Sequence, residues 1–251
     1  MSFPSLLHFA DKTSFRSTEW PPSNLRGYGR IIFMSMRNKR GICVYCGREK
    51  KLTMDHVPPK LLFASPYPPN LPTVPSCRDC NASFQKDDEY TRVVAAVDYR
   101  AAHHEDVKTK LPAIQRSLAR PDAKAFADYL DSQTSPTKTL DLYGRPIANA
   151  IEVQQPRVNA TGKRIIRGLY YVEAKKTLDL DARIKIGSKA GLDASDPMGL
   201  QFARVYRACS ERRDRAIGET FSYVAGFGQG FSIWLMMLYG YFVWAGTTDS
   251  R

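Results

Sequence analysis

Cys43-Val44-Tyr45-Cys46-Gly47 and Cys77-Arg78-Asp79-Cys80-Asn81 frame the part of this chain whose reading decides the fold. In a C-x-x-C turn both thiolates face one ion, and a following glycine allows the tight backbone approach that a zinc knuckle needs. Two such pairs give the closed four-sulfur shell of structural Zn2+. Cys43, Cys46, Cys77 and Cys80 are therefore the expected structural zinc ligands. The 30 residues between the pairs, 47–76, exceed a minimal ribbon, so an insert must fold there. The fifth cysteine, Cys209, has no partner motif and reads as a core residue on a helix.

Inside the insert stands Leu52-Thr53-Met54-Asp55-His56-Val57-Pro58-Pro59-Lys60, a short β-type run that ends in a carboxylate and a histidine. Asn70-Leu71 follows, and then the second cysteine pair with Asn81 directly behind it. This order resembles the HNH family of ββα-metal endonucleases, in which a C-x-x-C, an Asp-His with nearby proline, an Asn-Leu and a second C-x-x-C succeed one another. The resemblance covers about 50 of the 251 residues. The string from Asp55 to Tyr90, with the Arg167–Tyr171 segment, also looks like a set of bacterial proteins called simply HNH endonucleases.

The resemblance implies phosphodiester hydrolysis, which needs a deprotonated water in line with the leaving oxygen and positive charge on the phosphate. His56, whose type titrates near neutrality, would be the general base. Asp55 and Asn81 would hold a catalytic Mg2+ or Mn2+, hard ions suited to oxygen ligands. Asn70 would bond backbone and steady the loop that aims His56; its alternative is an ordinary turn residue in PPNLP. Three features depart from the commonest pattern. The loop 63–72 is rich in proline rather than glycine, the usual lysine is displaced to Lys86, and the acidic trio Asp87-Asp88-Glu89 follows it. The trio reads as a solvated helix face or as an extra contribution to the metal site.

Composition supports a polyanionic partner. The formal net charge is +12, from 37 Lys+Arg against 25 Asp+Glu. Such an excess concentrates nucleic acid and supplies phosphate contacts. DNA is the expected partner, with RNA as the alternative; Lys60, Lys86, Lys163, Arg164 and Arg167 are candidate contacts. A homodimer or a regulatory protein partner is compatible with the chain. The start, residues 1–15, lacks a basic n-region, so a cytoplasmic, reducing location is expected, where paired cysteines bind metal rather than each other. The most apolar stretch, Phe231–Ala245, is short for a membrane span and reads as buried strands.

Working outward, residues 1–40 read as a flexible leader or as an arm that packs or reaches DNA, and 41–92 as the nuclease core. Residues 93–251 read as a helical and then mixed α+β region. The expected class is α+β, a ββα-metal core with a C-terminal mixed α/β region. Spacing predicts helices over Tyr90–Ala102, Ala123–Leu130, Thr161–Lys176 and Leu200–Ala216. Pro112 and Pro121 read as punctuation and 132–138 as a polar linker. Strands are expected at 139–146 and 149–158 around a Gly144-Arg145-Pro146 turn, a loop at 187–199, and a hairpin from Glu219 to Thr248. His103 and His104 read as a solvent-facing pair, with a second metal site as the alternative. Besides a nuclease, the sequence admits a zinc module that binds nucleic acid without cutting it, and a nuclease effector of a bacterial defence or toxin system.

Overall fold

A computed structural model describes residues 39–136, 149–191 and 195–249. The class is α+β, with helices and antiparallel sheets both well represented. Residues 1–38 of the expected leader 1–40, and the strand and turn expected at 139–146, lie outside the described residues.

The insert between the cysteine pairs joins the residues just before Cys43 in one sheet. Strands β1 (Arg40–Ile42), β2 (Glu49–His56) and β3 (Thr73–Cys77) form a three-stranded antiparallel sheet in that order. Helix α1 (Arg78–Ser83) leaves β3 at once, and α2 (Gln85–Ala96) follows. The boundary expected at 92/93 thus falls inside a helix. Continuous packing explains this: Tyr90, Val93 and Val94 are buried in one core that runs from Cys43 to Trp244.

Helix α3 (Glu105–Leu118) carries Pro112 within it rather than ending there. His104 caps this helix, its Nδ1 accepting from the Asp106 amide at 3.2 Å while Nε2 meets the Glu219 carbonyl at 3.1 Å. One member of the histidine pair is therefore a tertiary contact; His103 is exposed. After α4 (Lys124–Ser132), the short strands β4 (Thr134–Pro136) and β5 (Asn149–Ile151) pair antiparallel. A piece of the expected linker is thus a strand.

Helix α5 (Gln155–Ala174) starts six residues before the expected Thr161, because Pro156 suits a first helical turn, where no amide donor is needed. The next two elements differ from expectation. Residues 183–190 form strand β6 (Arg183–Ala190) where a loop was expected over 187–199. Helix α6 (Pro197–Ala208) stops at Cys209, and the arginine-rich stretch beyond it is strand β7 (Glu211–Ile217). Both are the outer strands of a five-stranded sheet, order β6-β10-β9-β8-β7, where one face and one edge stay wet and charged residues are tolerated. The expected hairpin is a three-strand meander of β8 (Phe221–Gly228), β9 (Phe231–Leu238) and β10 (Phe242–Asp249). Its turns use Gly230 and Gly240 at φ +77° and +74°, where a side chain would be strained. Among the described residues no helix is long and apolar enough to cross a membrane.

Helix α5 lies between the two sheets. Its carbonyl at Val158 accepts from Trp244 Nε1 at 3.1 Å, and Gly162 lets Trp244 and Ile186 reach the helix backbone. A Cβ on Gly162 would stand 2.5 Å from Ile186 Cδ1 and 2.7 Å from Trp244 Cδ1. Overpacking of this kind costs about 1–3 kcal/mol. Gly162→Ala is accordingly expected to lower the melting temperature with the fold retained, as calorimetry and circular dichroism would show.

Candidate functional site

The four cysteines come together as the spacing predicts. Their sulfurs lie within 4.8 Å of one another, and Cys46 and Cys77 are 3.9 Å apart. A tetrahedron with zinc–sulfur bonds of about 2.3 Å places sulfurs about 3.8 Å apart, so this group could hold a metal ion such as zinc. Gly47, at φ +63°, closes the first knuckle through its amide on the Cys43 carbonyl at 2.9 Å. Backbone amides also face the sulfurs: Cys77 N donates to Cys43 Sγ at 3.3 Å, and Cys80 N to Cys77 Sγ at 3.5 Å. Burial opposes ionisation of Cys43, but the amides of Cys77, Cys46 and Tyr45 outweigh it and draw the thiol down to about 7.

Strand β2 carries Asp55 and His56 to the far end of this unit. Neighbouring strand residues point to opposite faces, so the two side chains part company. Asp55 is paired across the sheet with Val74 and His56 with Thr73. Asp55 is buried, and its carboxylate is fully engaged. Arg164 Nη2 stands 2.6 Å from each of its oxygens, and the Tyr45 hydroxyl donates to Oδ2 at 2.7 Å. Asp55 is thus an internal counter-ion, and the expectation that it ligates a catalytic cation is corrected: a guanidinium already occupies the side of the carboxylate where an ion would bind.

Arg164 itself is buried and does not face solvent as a nucleic-acid contact. Its other arm, Nη1, donates to Asp88, which also accepts from Thr161 Oγ1 at 3.2 Å. Thr91 Oγ1 donates to Thr161 Oγ1 at 3.1 Å, so the network is hydrogen-bonded outward into two helices. Burial disfavours the charge on Arg164, yet Asp88 and Asp55 together outweigh it and hold the guanidinium firmly ionised. Burial pushes Asp88 up to about 6 against the pull of Arg164. The acidic trio is therefore not a solvated face. Asp87 pairs with Arg157 at 2.9 Å, Asp88 with Arg164, and Glu89 with Arg92. Arg167 is half-buried and donates to the Leu178 and Asp179 carbonyls at 3.0 Å each.

His56 stands differently. It is half-buried at the exit of β2, and among the described residues its ring has no hydrogen-bond partner. Burial lowers its pKa below the ordinary value, helped by the charge of Lys60, so the ring is neutral at pH 7. The loop after it is firmly held. Tyr239 Oη donates to the Leu62 carbonyl at 2.7 Å, and Lys110 Nζ to the Leu61 carbonyl and to Phe63 O, the latter at 2.6 Å. Lys60 is exposed and stacks over the Tyr67 ring, 4.1 Å from its centroid. Asn70 does bond backbone, but a remote one: its Nδ2 donates to the Ala216 carbonyl on β7 at 2.8 Å. Asn81 sits half-buried on α1, its amide free of side-chain hydrogen bonds among the described residues. Lys86 and Lys163 are exposed.

Sequence reasoning missed Tyr45, Asp88 and the inward role of Arg164. Only spacing signalled Arg164: Ile165, Ile166 and Leu169 flank it on a helix whose buried face is wide enough to include it.

Two outcomes follow from this geometry. Cys43→Ser or Cys77→Ser should lose bound zinc, read by atomic emission, and unfold the β1–β3 unit, read by loss of sheet signal and solubility. Asp55→Ala should cost about 3–5 kcal/mol in denaturant unfolding, the penalty of breaking one side of a buried ion pair. Asp55→Ala/Asp88→Ala/Arg164→Met should cost less than the sum of the three single losses, since no buried charge is then left uncompensated.

No family model, no curated protein and no solved structure matches this chain.

Proposed function

We propose that this chain is an HNH-type endonuclease that hydrolyses phosphodiester bonds in DNA, with zinc held by Cys43, Cys46, Cys77 and Cys80 and with His56 as the general base. The observation that carries the reading is the contrast between neighbours on β2. Asp55 is sealed into the interior, whereas His56 is neutral, half-exposed and unpaired among the described residues, on a strand end anchored from several sides. A histidine serving the fold would hold a partner; a base awaiting substrate keeps its nitrogen open. The succession β2, β3, α1 with cysteines at both ends supports the same reading.

The pair expected to hold a catalytic Mg2+ or Mn2+ does not fit that ion, because Asp55 is closed off by Arg164 and leaves Asn81 alone. His56 takes a proton from water as the water oxygen bonds to phosphorus; the bond from phosphorus to the leaving oxygen breaks, and that oxygen takes a proton from solvent. Lys60, whose charge His56 senses, would meet a phosphate oxygen. Zinc in the four-thiolate group supplies folding energy and no chemistry.

One observation favours a second reading, a zinc module that binds nucleic acid without cutting it. With Asp55 committed to Arg164, the Asp-His pair no longer argues for metal catalysis, and His56 stands alone.

Plasmid nicking by the full-length, zinc-loaded protein, with and without added Mg2+ or Mn2+, separates the readings. The parent should cut, and His56→Ala should lose cutting by at least about a hundredfold, within the usual contribution of a positioned base, with zinc content unchanged. Retention of plasmid in a gel shift without any cleavage would support the binding module instead. The base must be neutral to act, and its pKa lies below the ordinary histidine value. Cleavage by the parent should therefore be flat around pH 7 and fall only as pH drops below the usual histidine range.

A further inference from the structure

Helix α5 touches both residues that flank His56. On one side Arg164 binds the Asp55 carboxylate through two 2.6 Å contacts. On the other, Gly168 lies against Val57: a Cβ there would stand 2.6 Å from Val57 Cγ2, 2.9 Å from Cγ1 and 3.2 Å from Cβ. Residues four apart share a helix face, so one turn of α5 meets the strand end on both sides of the histidine. Val57 is buried at 1% exposure, and its amide donates to the Pro72 carbonyl at 3.0 Å, closing the β2–β3 end. A β-branched side chain is stiff at χ1, so a push on its methyl groups passes to the backbone. The ion pair fixes the strand along its buried face, and the glycine contact fixes how closely the exit approaches the helix.

We propose that Arg164 and Gly168 of α5 are the positioning residues for His56, gripping Asp55 and Val57 so that the strand end holds the base in register for the substrate. This rests on the nuclease reading above. Neither residue touches reacting atoms. The grip comes from outside the Cys43–Tyr90 motif, more than a hundred residues along the chain from His56, so the isolated motif would present its histidine without the constraint that aims it.

The same helix provides its own control. Gly162 faces Ile186 and Trp244 of the five-stranded sheet, and a Cβ there crowds those residues while leaving Asp55, His56 and Val57 alone. Gly168→Ala, Gly162→Ala and the double variant Gly168→Ala/Val57→Ala, which removes both crowded methyl groups, would be compared in the full-length, zinc-loaded protein for kcat, KM and melting temperature. Gly168→Ala should lower kcat by about tenfold to a hundredfold, as misplacement by a fraction of an ångström to one ångström does, with KM and zinc content unchanged. The double variant should recover most of that loss, and Gly162→Ala should keep parental kcat despite its lower melting temperature. Arg164→Lys, which keeps the charge and loses the two-oxygen contact, should also reduce kcat rather than raise KM, and it serves if Gly168→Ala does not fold. Parental kcat in Gly168→Ala, or kcat losses that track melting temperature across all the variants, would overturn the inference. If the parent cuts nothing, the nuclease reading fails on its own. The grip is then judged from the His56 ring resonances of histidine-labelled protein, which has four histidines. These should move in Gly168→Ala, return in the double variant and stay in place in Gly162→Ala; resonances unmoved by Gly168→Ala reject the grip.

Discussion

A single guanidinium, that of Arg164, closes the interior of this protein. It is enclosed by Asp55 from the three-stranded sheet and Asp88 from α2, and its carbon lies 4.8 Å from the Phe84 ring centroid and 5.9 Å from that of Tyr45. A buried charge of this kind is tolerated only when its partners are also buried and oriented, because the desolvation cost of each ion is several kcal/mol. The consequence is mutual dependence. Tyr45 from the first cysteine turn, Asp55 from β2, Asp88 from α2 and Arg164 from α5 must all be in place for any of them to be satisfied.

Two other devices hold the structure at a distance from that network. The four sulfurs tie the β1–β2 turn to the start of α1, a region too small to bury much apolar surface of its own. The five-stranded sheet solves the problem differently, with Trp234, Trp244, Met236 and Phe221 fully buried. Helix α5 joins the two solutions: its glycines at 162 and 168 give close approach to the large sheet on one side and to the exit of β2 on the other. A side chain at either place would push the layers apart.

This arrangement changes how the chemistry is distributed. Resemblance placed Asp55 beside a catalytic ion and basic charge placed Arg164 and Arg167 on nucleic acid, yet Asp55 and Arg164 pair in the interior and half-buried Arg167 is engaged by backbone carbonyls. His56 keeps an open ring, and exposed Lys60 lies close enough for its charge to be felt there. Of the other residues expected at the site, Asn70 braces the proline-rich loop against β7, and Asn81 keeps an unengaged amide on α1 among the described residues.

Local pattern by itself determined much of this protein. Two C-x-x-C spacings sufficed for the four-sulfur group, because a knuckle is built within one turn of chain and needs only its own residues and glycine. Alternation and punctuation likewise placed β2, α2, α5 and the C-terminal strands, whose faces are set by short periods. Tertiary structure decided what those periods do not encode. The strand at 183–190 carries a charge at nearly every second position and that at 211–217 opens with five charged residues in a row, which reads as loop or helix until the sheet gives them an edge to occupy. An arginine on α5 and an aspartate on β2, 109 residues apart, became an ion pair only because the fold buried both; among the described residues Arg164 has Asp88 as its one other anionic partner and Asp55 has no other cationic one. Electrostatic pairing acts through space, so which carboxylate serves the interior and which histidine stays open was settled by packing and not by the motif.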